Sequence, residues 1–124
     1  MAKTLKFKDN QCAIRIFHYE NNRVALVLYR EKNGKYYDNG VATKNFPDYP
    51  LGIDEAFMDE NNMPGITIAL VSAGIAEYTD KMVFSGHCCY GALKLNLEAI
   101  KEYNFEGEES YYDEEDVWEE DVWD

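Results

Sequence analysis

The alternation of apolar and polar positions predicts strands before anything else. Residues 4–8 (TLKFK) alternate and run into Asp9-Asn10, a turn signal, so a short first strand is predicted. Residues 11–19 place Cys12, Ile14, Ile16 and His18 on one face and Ala13, Arg15, Phe17 and Tyr19 on the other, a strand buried on at least one side. After the turn-rich Glu20-Asn21-Asn22 comes RVALVLYR at 23–30, a β-branched apolar run bounded by charge, as in a central strand. These two form a hairpin. Asn33-Gly34 tolerates positive φ at both central positions of a type I′ turn, which folds 35–38 back against 28–30. Asn39-Gly40 then breaks the chain before a further strand candidate at 41–46.

Pro47 and Pro50 cannot donate ladder hydrogen bonds, so FPDYPL at 46–51 must leave the sheet. Beyond a weak strand candidate at 56–59, Asn62 is placed to cap a helix over 64–73, with Pro64 in its first turn and Gly74 at its left-handed end. Ile66, Ala69, Leu70 and Ala73 follow the three-and-four spacing that lays a helix on a sheet. Gly65 and β-branched Thr67, Ile68 and Val71 lower its intrinsic propensity, so packing must hold it. Residues 75–78, 82–84 and 88–95 read as further strands, and 97–103 as a short closing helix. The expected fold is α+β: one antiparallel sheet, a meander, with one main helix packed on it and an acidic C-terminal extension.

Charge changes this picture at one end. Of 24 acids and 12 bases in the 124 residues, eleven acids and no base fall in 106–124, leaving 13 acids against 12 bases in 1–105. The body is therefore close to neutral, at −1, and the tail carries −11 of the total −12. The expected organisation is a globular domain over 1–105 and an acidic aromatic tail over 106–124. EEDVW at 114–118 is repeated without change at 119–123, and Trp118 and Trp123 are both tryptophans of the chain. A run this acidic is solvated by default, yet two Val-Trp pairs and Tyr111-Tyr112 have no place in a purely solubilising tail. In a helix, Tyr111, Trp118 and Val122 would share one face.

One domain is the expectation at this length, and no apolar run approaches the roughly 18 residues that span a bilayer. Residues 1–7 lack a signal peptide's apolar stretch, so a cytoplasmic protein is expected. Three cysteines, two of them adjacent at Cys88 and Cys89, read as reduced thiols rather than a disulfide framework. The acidic balance argues against direct binding of nucleic acid or anionic lipid and points to a basic partner.

The apolar hairpin, Pro-x-Tyr-Pro-Leu at 47–51, Ala73-Gly74-Ile75 at the end of the helix and Ser85-Gly86 together resemble a family of small domains of unknown function carried by conjugative elements and phages of gut bacteria. The resemblance covers 12–95 and rests on turn and packing features. It implies a mobile-element origin, brings no catalytic residues, and does not extend to the tail.

Chemistry-bearing residues are few. His87, Cys88 and Cys89, with Cys12 and His18 elsewhere, are soft ligands, but neighbours on a strand face opposite ways and only His87 and Cys89 could converge; no metal is expected. Cys and His also have the residue types of a nucleophile and base, without a motif or oxyanion feature to support them. There is no phosphate loop, HExxH or GxSxG, so no catalytic residue, enzymatic activity or cofactor is expected. Tyr36, Tyr37, Tyr49, Tyr78 and Tyr90 fall near turns or strand ends, where rings serve interfaces or cover a sheet rim. The expected partner-binding residues are Tyr111, Tyr112, Asp113, Glu114, Glu115, Asp116, Trp118, Glu119, Glu120, Asp121 and Trp123. The expected role is inhibition of a nucleic-acid-binding defence nuclease, of anti-CRISPR or anti-restriction type, with acids in place of phosphates and rings in place of bases. The alternative is an interaction module whose tryptophans dock in a partner's groove.

Overall fold

The computed structural model describes residues 3–110. Two four-stranded antiparallel sheets share one core, with two small helices at their margin. The first sheet runs in sequence order: β1 (Leu5–Phe7), β2 (Asn10–His18), β3 (Val24–Lys32) and β4 (Lys35–Val41). Its long hairpin pairs Ile14 with Leu28 and Ile16 with Leu26, so Cys12, Ile14, Ile16, Leu26 and Leu28 line the inner face as the alternation predicts. Asn33 and Gly34 supply the two positive φ angles of the β3–β4 turn, 54° and 79°.

The single expected meander is divided in two. Between Leu28 and Tyr29 the β3–β4 register shifts, and Gly40 takes φ 111°. A bulge with a left-handed glycine bends an edge strand out of its sheet. The chain then passes through fully buried Ala42, whose amide donates to Leu26 in one sheet and whose carbonyl accepts from Asp59 beside the other. The second sheet has the order β5-β6-β8-β7, from β5 (Thr43–Lys44), β6 (Glu55–Met58), β7 (Ala76–Ser85) and β8 (Cys88–Leu95). The expected 75–78 and 82–84 strands are one strand, β7, interrupted by an irregularity between Tyr78 and Met82.

The main helix is shorter than expected: α1 is Ile66–Ser72, and α2 is Leu97–Lys101. Ile66 and Leu70 of α1 and Ile100 of α2 are fully buried. Asn62 does not cap α1, because its side chain turns back to donate to Asp59 at 2.8 Å. The N-cap is Gly65 at φ 92°, and the free amides are satisfied from outside the helix. Glu60 accepts from the amides of Gly65 at 2.8 Å and Thr67 at 2.7 Å. At the other end Gly74, at φ 78°, donates to Val71 and Ile75 donates to Leu70, the paired bonds of a Schellman ending. No described helix is long and apolar enough to cross a membrane.

Candidate functional site

The eleven expected partner-binding residues, Tyr111 to Trp123, lie outside the described residues. What the structure describes is the segment that leads into them. After α2, the carbonyl of Tyr103 accepts from the Ile14 amide at 2.9 Å, which sets the chain beside β2 just past the end of the three-residue β1. From there it crosses the outer face of the first sheet toward β4.

Phe105 is the pivot of that crossing. Its ring is 3% exposed and packs on Ala13 and Tyr29, the small and large residues of the outer face. It stacks on Tyr36 with centroids 4.1 Å apart and planes within 9°, and meets Tyr29 edge-on at 4.9 Å. The Arg15 guanidinium lies 3.6 Å from the Phe105 centroid. Arg15 also donates to the Asn104 side chain at 3.1 Å and to the carbonyls of Phe105 and Gly107 at 3.2 and 2.8 Å. A planar fork of donors suits one side chain holding two carbonyls of the same strap. The crossing ends at the outer edge of β4, where Ser110 donates to the Tyr36 carbonyl at 2.7 Å in a parallel bridge with Tyr37.

Charge follows the same path. Burial raises the Tyr29 phenol pKa above its ordinary value, and the nearby carboxylates of Glu109 and Asp38 push it the same way. Of the first acids of the C-terminal run, Glu109 thus lies near the sheet, while Glu106 and Glu108 are exposed. The signal for this arrangement is a lone large apolar residue, Phe105, directly before an acidic run, matched by Arg15 and Tyr29 on the outward alternation of β2 and β3.

The soft ligands are dispersed. Cys12 is fully buried on the inner face; burial pushes its thiol up to about 11, against a weak hydrogen bond from Asn39. Cys88 is half-buried beside Tyr90, and Cys89 is exposed on the opposite face of β8. Among the described residues, no three His, Cys, Asp or Glu side chains gather to hold a metal ion. The tyrosines divide: Tyr37 and Tyr90 are buried, Tyr36 stacks on Phe105, and Tyr49 and Tyr78 stand exposed.

These features define an α+β body of antiparallel sheets with the root of its acidic C-terminal run strapped across one of them as far as Ser110. The chain belongs to the family described as domain of unknown function (DUF4313), whose model matches residues 13–114. No curated protein and no solved structure matches it.

Proposed function

We propose that this protein is a non-enzymatic inhibitor of mobile-element origin that acts in the cytoplasm on a basic, nucleic-acid-binding defence nuclease. The activity is of anti-CRISPR or anti-restriction type. The observation that supports this reading is the segregation of charge: a body of −1 carrying a C-terminal run of −11. A channel that grips nucleic acid through Lys and Arg and stacks bases on aromatic platforms presents the complement of such a run. In this reading Glu114, Glu115, Asp116, Glu119, Glu120 and Asp121 stand in for phosphates, and Tyr111, Tyr112, Trp118 and Trp123 for bases. The root held by Arg15 and Phe105 supports the reading further. A polyanion fastened at its base meets a channel from a defined origin, and fewer orientations are lost on binding than for a free tail.

The alternative, tryptophans anchored in an apolar groove with charge only steering the approach, is favoured by the verbatim repeat of Val-Trp. Competition against labelled nucleic acid on a candidate nuclease separates the two. Replacing the six acids by Asn or Gln should abolish inhibition under mimicry, and affinity should fall steeply as salt shortens the Debye length below about 8 Å. Trp118→Ala and Trp123→Ala should each cost less than the charge set, about 1 to 3 kcal/mol. Under groove anchoring that order reverses. Undiminished inhibition by protein lacking 111–124 rejects both.

A further inference from the structure

Each sheet has two edges, and three of the four are short or occupied. β1 is three residues long, and the adjoining Lys3 amide is bonded to Glu102. β5 has two residues, and β4 is met by Ser110. The fourth, β7, is ten residues long and pairs only with β8 among the described residues. Such an edge, if apolar, is a template for another strand.

β7 is apolar on the wrong side for a solvated edge. Phe84 is 75% exposed, Tyr78 64% and Met82 53%. All three stand on the face of the second sheet that, nearer its base, forms the shared core through Leu93, Leu95 and Ala76. Toward the Gly86-His87 turn that face runs past the core, and its floor on β8 is Gly91 and Cys89, the partners of Met82 and Phe84. Gly91 has no atom within 4 Å of where a Cβ would stand, so the space over it is open.

We infer that the outer edge of β7 is a dimer interface, occupied by β7 of a second copy in antiparallel pairing about Val83. The geometry selects a second copy for two reasons. Counting from the Ser85/Cys88 pair that closes the hairpin, the backbone of Val83 faces β8 and that of Met82 and Phe84 faces outward. A twofold axis through Val83 then sets Met82 opposite Phe84 of the second copy, twice, so each outward-facing amide meets an outward-facing carbonyl and the two exposed apolar side chains cover each other. In the same register Lys81, already paired with Glu55 at 2.6 Å, falls opposite Ser85, and no like charges are opposed. The second reason is the near-neutral body, which does not repel its copy, while the acidic run leaves from β4 of the other sheet. A dimer would also present two acidic runs to one target, raising effective concentration without new contacts.

The test is sedimentation equilibrium of the full chain from micromolar to submillimolar concentration, in reducing buffer because Cys89 is exposed on the same face, at physiological and at high salt. The expected result is a concentration-dependent dimer that holds or tightens at high salt as the acidic runs are screened. Phe84→Lys should weaken it at least tenfold, about 1.4 kcal/mol, and Met82→Lys should act in the same direction. Both should leave the melting temperature of the monomer unchanged, because the side chains are exposed. Ile68→Lys, at an exposed apolar residue of α1, should leave the dimer intact. A monomer at every concentration and salt overturns the inference, and so does a dimer that Phe84→Lys leaves as tight as the wild type. Neither result bears on inhibition, which is read on a nuclease.

Discussion

The outer faces of the two sheets are covered in the same manner by unrelated pieces of chain. On the second sheet the Pro47 to Leu51 connection lays Phe46 and Leu51 over Phe57, Val83, Tyr90 and Ala92. Arg23 holds it by donating to the carbonyls of Phe46, at 3.0 Å, and Tyr49. On the first sheet the C-terminal crossing lays Phe105 over Ala13 and Tyr29, and Arg15 holds it by donating to the carbonyls of Phe105 and Gly107. In each case an irregular strap brings one phenylalanine to an apolar patch and leaves its backbone carbonyls without ladder partners. In each case one guanidinium supplies the donors. The straps differ in the chain that each leads into. Two prolines stiffen the internal strap and strands succeed it, whereas the terminal strap turns at Gly107, at φ 97°, and already belongs to the acidic run that begins at Glu106. One closes the body; the other closes the body and sets where the charge begins.

The largest expected effect comes from the residues beneath and within the straps. Phe57→Ala should cost about 3 to 5 kcal/mol, since Phe57 is 1% exposed and its loss leaves a cavity under Phe46 and Tyr49. Phe105→Ala should fall at the low end of that range, because the strap can settle toward the sheet. Chemical denaturation of both variants checks this, and a larger loss at Phe105 than at Phe57 would reverse the ranking of the two straps. Next in size are the arginines. Arg15→Ala and Arg23→Ala should each cost about 1 to 3 kcal/mol, as charge-assisted donors are taken from strap carbonyls. The two differ in their reach. Arg15→Ala should raise hydrogen exchange at the Ser110 amide and leave the Tyr49 amide protected, and Arg23→Ala should do the opposite.

The strands are legible in the chain because alternation and turn chemistry are local. The β8 strand, the Asn33-Gly34 turn and the glycine ending of α1 are all specified by neighbouring residues. The division into two sheets is not. It depends on a bulge opposite Leu28 and Tyr29 and on Ala42 bonding to both sides, and neither feature leaves a periodic trace. The sequence points to Asn62 as the cap of α1 because a short capping side chain stands close to the helix start, whereas the group that serves is Glu60, five residues from Gly65, which reaches the Gly65 amide through a longer side chain. Of the candidate site, the charge can be read directly. Its root leaves a signal in Phe105 and in the outward positions of Arg15 and Tyr29 but not their pairing, because Arg15 and Phe105 are ninety positions apart and meet only when the outer face of the first sheet has formed.

The smallest effect tests whether a carboxylate that holds no strap behaves differently from the two guanidiniums. Burial works against the charge of Glu60, but the amides of Gly65 and Thr67 and the Thr67 hydroxyl donate to it and outweigh that cost, so Glu60 titrates below the ordinary carboxylate range. The unfolded chain therefore takes up this proton at a higher pH than the folded one, near the ordinary glutamate value of about 4.3. The contribution of Glu60 is complete above that pH and is lost as the pH falls through the lower folded value. At neutral pH, Glu60→Gln should lower stability by about 1 kcal/mol, the usual scale of a lost helix cap. The gap between wild type and variant should narrow and then close as the pH falls below about 4. Thermal melts of both proteins from neutral to acid pH read this directly. A gap that stays constant throughout would mean that Glu60 acts by its length and packing, not by the charge it presents to the start of α1.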